Sequence, residues 1–389
     1  MWRHLASNFL TLVIVVTFLL GGVILWAQRQ YETAGPLEAA ICLRVPPGAT
    51  LRSVAADLRG QDAISSDVLF RLGADYTGRD KRLKAGSWLI PEGASMDRIT
   101  ELITRGGAST CGTEMVLRVG VADIEMVLRA LDPATRRFEV RARHDTAGGG
   151  VLPETLATAL DRSDTRFRVA LAEGVTSWQV ARGLRALPML TGSIDDIPAE
   201  GSLAPDSYEV QRGTPRAEVL ARMQERQSAI LAAAWEGRAE GLPLDGPEEA
   251  LILASIIEKE TGLPDERREV ASVFVNRLRE GMRLQTDPTV IYGLTEGRGP
   301  LGRGLRQSEL RARTPWNTYV IGGLPPTPIA NPGRESIAAA VDPAETEYLY
   351  FVADGSGGHV FAETLAEHNR NVARWREIEA GQQDGTADE

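Results

Sequence analysis

Two glutamates flank a lysine, Glu258-Lys259-Glu260, at the end of an almost unbroken apolar run from Leu251 to Ile257. A helix that is apolar on every side must be buried. The acid that leaves its C-terminal end then sits where burial and the negative end of the helix macrodipole both disfavour its charge. A carboxyl kept protonated near neutral pH is what a general acid needs. Glu258 follows directly on the apolar run and is the expected acid/base. Glu260, two residues further on, points to nearly the opposite side of the helix and cannot easily act with it. Asp287, in Gln285-Thr286-Asp287-Pro288-Thr289, could reach the same cleft from another element, so one- and two-carboxylate chemistries both stay open.

The elements that must position these groups carry their own signals. Gly246 as cap, Pro247 as first helical residue and Glu248 and Glu249 in the first turn start a helix over 247–261, and Gly262 stops it. A second helix from Pro264 buries Val270, Val273, Phe274 and Leu278 against it. The loop Gly322-Gly323-Leu324-Pro325-Pro326-Thr327-Pro328 is stiff and poor in donors, a cleft wall rather than a phosphate cradle. From Arg267 to Arg313 there are ten arginines against five acids, either solvated helix faces or a locally positive cleft for an anionic ligand.

Several chemistries lose support. The four histidines (4, 144, 359, 368) and the two cysteines (42, 111) show no metal spacing and no CxxC, so no metal site is expected. No G-x-S-x-G occurs, which removes the usual serine-hydrolase signature. Lys259 is the one lysine in the second half of the chain. Wedged between two acids, it is a poor Schiff-base lysine, and no cofactor is expected. The formal charge of −10 argues against a general nucleic-acid binder.

Ahead of this region, Phe9 to Ala27 runs for nineteen residues without a charge, close to the ~20 that span a bilayer. Leu25-Trp26-Ala27 is a poor cleavage context, and Trp2 and Trp26 bracket the run as interfacial anchors do. An uncleaved single-pass anchor over 9–27 follows, with a short N-terminus (1–8) inside and a polar stalk (28–40) beyond it. The next segment, 41–106, reads as strand, helix, helix, strand, helix. Its phrases Val45-Pro-Pro-Gly-Ala-Thr-Leu through Leu58 and Ala85-Gly-Ser-Trp-Leu-Ile-Pro91 resemble a LysM-like module, a glycan-binding fold of cell-wall proteins. Residues 107–164 form an inserted linker or subdomain with strand-like pieces at Met115–Val119 and Arg137–Arg143 and a flexible Gly148-Gly149-Gly150. The tail over 377–389 is acidic and expected to be disordered. Gly48-x-Thr50-x-x-x-Val54-Ala55-x-x-Leu58 is matched by Gly174-x-Thr176-x-x-x-Val180-Ala181-x-x-Leu184, which reads equally as two ordinary capped helices or as a duplicated turn-helix element.

Longer phrases then fall in a fixed order: Pro205-Asp-Ser-Tyr208, Leu253-Ala-Ser-Ile-Ile-Glu-Lys-Glu-Thr261, Asn276 to Gly293, Asn317-Thr-Tyr319, Gly323 to Gly333, Tyr348-Leu-Tyr-Phe-Val-Ala353 and Gly357-Gly-His-Val-Phe361. In these the chain resembles the YceG-like endolytic murein transglycosylases. It departs from them at Gly201-Ser-Leu-Ala204, where an aromatic-rich phrase is usual, and in the length of 107–164.

The resemblance implies an α+β protein: the anchor, the small β-α-α-β LysM-like module, and a larger α+β catalytic domain over 165–376. It implies a lyase that cleaves the β-1,4 bond between N-acetylmuramic acid and N-acetylglucosamine within peptidoglycan glycan strands. The substrate's own C6 hydroxyl is the nucleophile, leaving a 1,6-anhydro end, and a single Glu, Glu258, serves as acid then base. Gln285, Asp287, Thr289, Tyr292, Asn317 and Tyr319 are the expected sugar-binding residues. The implied location is the inner membrane with the domain on the periplasmic side, with peptidoglycan synthesis machinery as a further partner. A two-carboxylate muramidase through Asp287 and a non-catalytic wall-binding anchor are the rival readings. In an oxidising compartment Cys42, in the module's first strand, and Cys111, beyond its last helix, would form a bridge.

Overall fold

The chain is described by a computed structural model covering residues 2–107, 109–146, 151–162 and 164–385, without side-chain detail at 2–7 and 381–385. The Gly148–Gly150 stretch therefore lies outside the described residues. Two compact units emerge: 1–115 with 127–143 and 152–166, and 116–126 with 144–151 and 167–389.

The first unit begins with helix α1 (Trp2–Glu32), whose residues Asn8–Glu32 are long and apolar enough to cross a membrane. Its large side chains, Phe9 and Leu25 among them, are exposed, as lipid contact would require. The expected stalk is not free-standing. The helix continues to Glu32, and Tyr31 and Leu37 are built into the core of this unit. Gly73 makes room, since a Cβ there would meet the Tyr31 ring, and the Tyr31 hydroxyl donates to Thr100 Oγ1 at 2.9 Å. Strand β1 (Ile41–Val45), helices α2 (Leu51–Gly60) and α3 (Asp67–Tyr76), strand β2 (Gly86–Ile90) and helix α4 (Met96–Thr104) follow. β1 and β2 pair antiparallel with Leu43 opposite Trp88. Their inner faces and the stripe Val54, Ala55 and Leu58 of α2 close on Ile99 and Ile103 of α4. Cys42 and Cys111 are disulfide-bonded, with Cα atoms 5.7 Å apart.

The segment 107–164 contains strands β3 (Thr113–Val119), β4 (Ile124–Asp132) and β5 (Arg137–Asp145) and helix α5 (Glu154–Asp161). With β6 (Arg166–Leu171) and β7 (Ser207–Val210) the strands form a five-stranded sheet of order β5-β4-β3-β6-β7. The division between the two units falls within these strands. β4 has no clean alternation: Met126, Val127 and Leu128 are buried in succession, as happens when both faces of a strand are covered.

The second unit holds α6 (Ser177–Arg185), α7 (Arg216–Glu236), α8 (Pro247–Glu260), α9 (Arg267–Arg279), α10 (Asp287–Thr295), α11 (Gln307–Leu310) and α12 (Arg334–Val341). The β8 (Tyr350–Ala353) and β9 (His359–Ala362) ribbon and helix α13 (Leu365–Gly385) end it. α13 runs through most of the expected tail; residues 386–389 lie outside the described residues. Thr50 of α2 and Thr176 of α6 both close capping boxes with the residue three further on, so the repeated phrase encodes one local device twice. α8 is the axle of this unit. Leu253, Ala254, Ile256 and Ile257 are fully buried against Val270, Ala271 and Phe274 of α9 and Ile337 and Ala340 of α12. A rod so enclosed can place the side chains at its end with little freedom.

Candidate active site

The last three residues of α8 fan out to three different surroundings. Glu258 turns to the start of α12, where Gly333 N–H and Ser336 Oγ–H donate to its Oε2 at 2.9 and 2.7 Å. Gly333 has no side chain to cap its own helix, so Glu258 supplies the missing acceptor. Glu173 and Arg267 stand near it, and burial pushes its carboxyl above the usual range. Lys259 reaches toward Gly174 O at 3.4 Å. Glu260 turns the other way and accepts the Thr286 hydroxyl. Burial above all raises the Glu260 carboxyl, and Asp287 adds to this. The Thr286 hydrogen bond and the charges of His359 and Arg277 oppose it.

The segment facing Glu260 is held rigidly. Gln285 sits at φ 51°, unusual for a residue with a Cβ. Its N–H donates to Thr318 O at 3.3 Å, and Thr286 N–H donates to Thr318 Oγ1 at 3.0 Å. Asp287 follows as the first residue of α10, where a carboxylate suits the positive helix end, and the Tyr319 hydroxyl donates to its Oδ1 at 2.6 Å. Burial and that acidic neighbour raise the Tyr319 hydroxyl, so it stays a donor. Arg277 is buried beneath, its guanidinium donating to Leu349 O and Leu284 O at 2.7 Å each. His359 is fixed by Glu266, which accepts its N–H and contacts Nδ1, both at 2.8 Å.

Three of the expected sugar-binding residues thus share the Glu260 neighbourhood with side chains open to a ligand: Gln285 and Asp287 are exposed and Tyr319 is half-buried. Three do not. Thr289 is fully buried and donates to Thr286 O at 2.8 Å while pairing with Thr318 Oγ1 at 2.9 Å. Asn317 is likewise buried, its amide spent on the carbonyls of Glu309, Leu310 and Ala312. Both are struts of the loop rather than its surface, because buried polar groups must be paired and these already are. Tyr292 belongs to another cluster. Its hydroxyl donates to Glu200 at 3.3 Å and its ring packs on Trp316, centroids 5.7 Å apart. Around Glu260, which the sequence reading set aside in favour of Glu258, the structure also gathers Thr286, Arg277, His359 and Glu266, none of which that reading assigned a role. Among the described residues, no group of three or more His, Cys, Asp or Glu could hold a metal ion.

The arrangement offers a half-buried carboxyl raised by desolvation beside an exposed aspartate, an amide and a phenol, the groups that hydrogen-bond sugar hydroxyls. The model of the YceG-like family matches residues 43–374. The chain is 28% identical over 358 residues to the endolytic murein transglycosylase of Bacillus subtilis strain 168, covering 90% of this chain and 89% of that one. It is 23% identical over 384 residues to the protein of that name from Streptococcus pneumoniae D39, covering 95% of this chain but 65% of the relative. A crystal structure of a putative yceG-like protein from Listeria monocytogenes is 24% identical, with a TM-score of 0.44 over 86% of this chain and 99% of that one.

Proposed function

The chain belongs to the YceG-like family, and from that premise we propose that it is a membrane-anchored endolytic murein transglycosylase. It is a lyase that cuts the β-1,4 MurNAc–GlcNAc bond inside glycan strands and leaves 1,6-anhydro ends. The names of its relatives support the reaction class. The observation that carries the site is the pairing of Glu260, half-buried with its carboxyl raised by desolvation and held by the buried Thr286, with the exposed Gln285 and Asp287 on either side of that threonine. In this reading Glu260, rather than Glu258, is the acid/base. Protonated in the resting enzyme, it gives its proton to the leaving glycosidic oxygen. As a carboxylate it then takes the proton of the C6 hydroxyl while that oxygen closes on C1. Asp287, with Tyr319 donating to it, orients sugar hydroxyls. α1 is the anchor, residues beyond it lie on the periplasmic side, and the unit around β1 and β2 serves as a LysM-like glycan-binding module.

Asp287 stands close enough to Glu260 to raise it, so a two-carboxylate muramidase is the second reading. Product analysis separates the two. Intact glycan strands digested with the wild-type protein are expected to give anhydro-ended fragments, one water lighter than reducing-end fragments of equal length. Reducing ends alone establish the muramidase, and no products at all establish a binder.

Topology is tested independently. Protease added to spheroplasts is expected to digest the chain beyond α1. Full protection there places the domain in the cytoplasm and removes the wall as substrate.

A further inference from the structure

A cavity of about 260 Å³ opens on the side of α8 that carries Lys259. Pro288, Ile291, Tyr292, Leu301 and Ile329 form much of its wall, and Lys259 is the one charged side chain among the lining residues. Its size is just below the ~300–1,000 Å³ usual for small-ligand sites, enough for a short branch rather than a whole ligand. The space is kept open at Gly297 (φ 68°), where a Cβ would come within 3.0 Å of both Thr176 and Tyr292. Thr176 fixes that glycine by donating to its carbonyl at 2.5 Å.

Lys259 is half-buried, and burial depresses its ammonium. Its long 3.4 Å approach to Gly174 O leaves most of its donor capacity unused. Two carboxyls stand near it, Glu258 and Glu200. Both are engaged elsewhere: Glu258 by Gly333 and Ser336, Glu200 by Ser177 N–H at 2.7 Å and Tyr292. Burial also pushes both toward their neutral forms. What remains is an apolar hollow with a cation in its wall, complementary to a methyl-bearing chain that carries a carboxylate.

The hollow adjoins the proposed cleavage site twice over. Lys259 precedes Glu260 and Pro288 follows Asp287, and consecutive residues are only ~3.8 Å apart at Cα. A ligand seated there lies against the chain neighbours of both Glu260 and Asp287. Muramic acid carries its lactyl-linked peptide at such a distance from the glycosidic bond, with alanyl methyls and an acidic residue near its start.

We propose that this cavity is a subsite for the acidic peptide branch of the muramic acid beside the scissile bond, with Lys259 binding the branch's carboxylate. The proposal rests on the transglycosylase reading above and extends it to substrate choice: the enzyme acts on peptide-bearing strands in preference to bare ones.

The test compares intact glycan strands with the same strands stripped of peptides by an amidase, using the full chain. Wild type is expected to show at least a ~10-fold higher kcat/KM on peptide-bearing strands, a modest value for one buried charge contact. In Lys259→Met, and in Leu301→Trp, which fills the hollow, that ratio should fall to about one. Because the ratio is internal to each protein, a folding defect lowers both rates and leaves it in place. Equal cleavage of both strands by wild type overturns the subsite while leaving the transglycosylase intact, as does a ratio untouched by both variants. Products without anhydro ends overturn the parent reading instead.

Discussion

Glu260→Gln is expected to lose turnover by at least ~10²-fold, the low end for removing positioned acid catalysis, while keeping its fold and its affinity for glycan. The amide retains the carbonyl oxygen that accepts the Thr286 hydroxyl but has no proton to give. Glu258→Gln should stay within ~10-fold of wild type on the same scale. Its two hydrogen bonds, from Gly333 N–H and Ser336 Oγ–H, both end on one oxygen, which an amide can replace. Glu258→Ala is the structural control. It leaves the start of α12 without its acceptor and should cost ~1–3 kcal/mol of stability. An active Glu260→Gln protein beside a dead, folded Glu258→Gln protein would return the acid/base role to Glu258. Asp287→Asn separates the two reaction classes again: weaker binding with anhydro products fits a transglycosylase, and complete loss fits a hydrolase.

The pH dependence follows from the direction of the Glu260 shift. Burial first, and Asp287 next, lift its carboxyl above the ordinary value of 4.5, so the acid form survives to higher pH than in an exposed glutamate. kcat/KM should fall on the alkaline side as pH rises through the raised value. Stability moves the same way. Between 4.5 and the raised value the folded protein holds a proton that the unfolded chain has released, so stability drops as pH rises across that window. Glu258 and Glu200 are raised as well and add to the slope. Glu260→Gln should flatten part of it, measured as the denaturant midpoint against pH.

Most of the scaffold around α8 could be read from residue types alone. The Gly246-Pro247 start, the unbroken apolar run and the buried face of α9 are local or periodic signals, and the helix begins at Pro247 and ends at Glu260. The proposed choice of Glu260 over Glu258 could not be read in this way. Burial at the helix end disfavours the charge of both, and both are raised. What separates them is which side of α8 receives the 285–289 segment, a long-range docking that no local pattern records. The same limit explains Thr289 and Asn317. A polar residue in a loop near a cleft can bind a sugar or tie the loop together, and only the position of Thr318 Oγ1 and of the 309–312 carbonyls decides. A signal did exist for Asn317, since asparagine readily satisfies nearby backbone groups in turns. β4 escaped because its successive buried residues lack the alternation that marks a half-exposed strand.

Removing the Cys42–Cys111 bridge is expected to be the largest stability change open to a conservative substitution. The two residues are 69 apart in sequence and their Cα atoms lie 5.7 Å apart, inside the ~4.4–6.8 Å that a disulfide spans without backbone movement. In the chain-entropy model a loop of this length restricts the unfolded ensemble by about 4 kcal/mol. The bridge ties β1 to the chain beyond α4, and Cys111 N–H already donates to Ser87 O at 3.1 Å on β2. The native geometry is therefore held from both sides. Cys42→Ala with Cys111→Ala should lower the unfolding midpoint of the unit that contains β1 and β2 and leave the Glu260 site working, because α8 to α12 belong to the other unit. Free-thiol labelling of the denatured, non-reduced wild-type protein should find no thiol. Two reactive thiols, or a double variant as stable as wild type, would show that the bridge does not form in the native protein. The compartment assignment would then lose the support that an oxidised pair lends it.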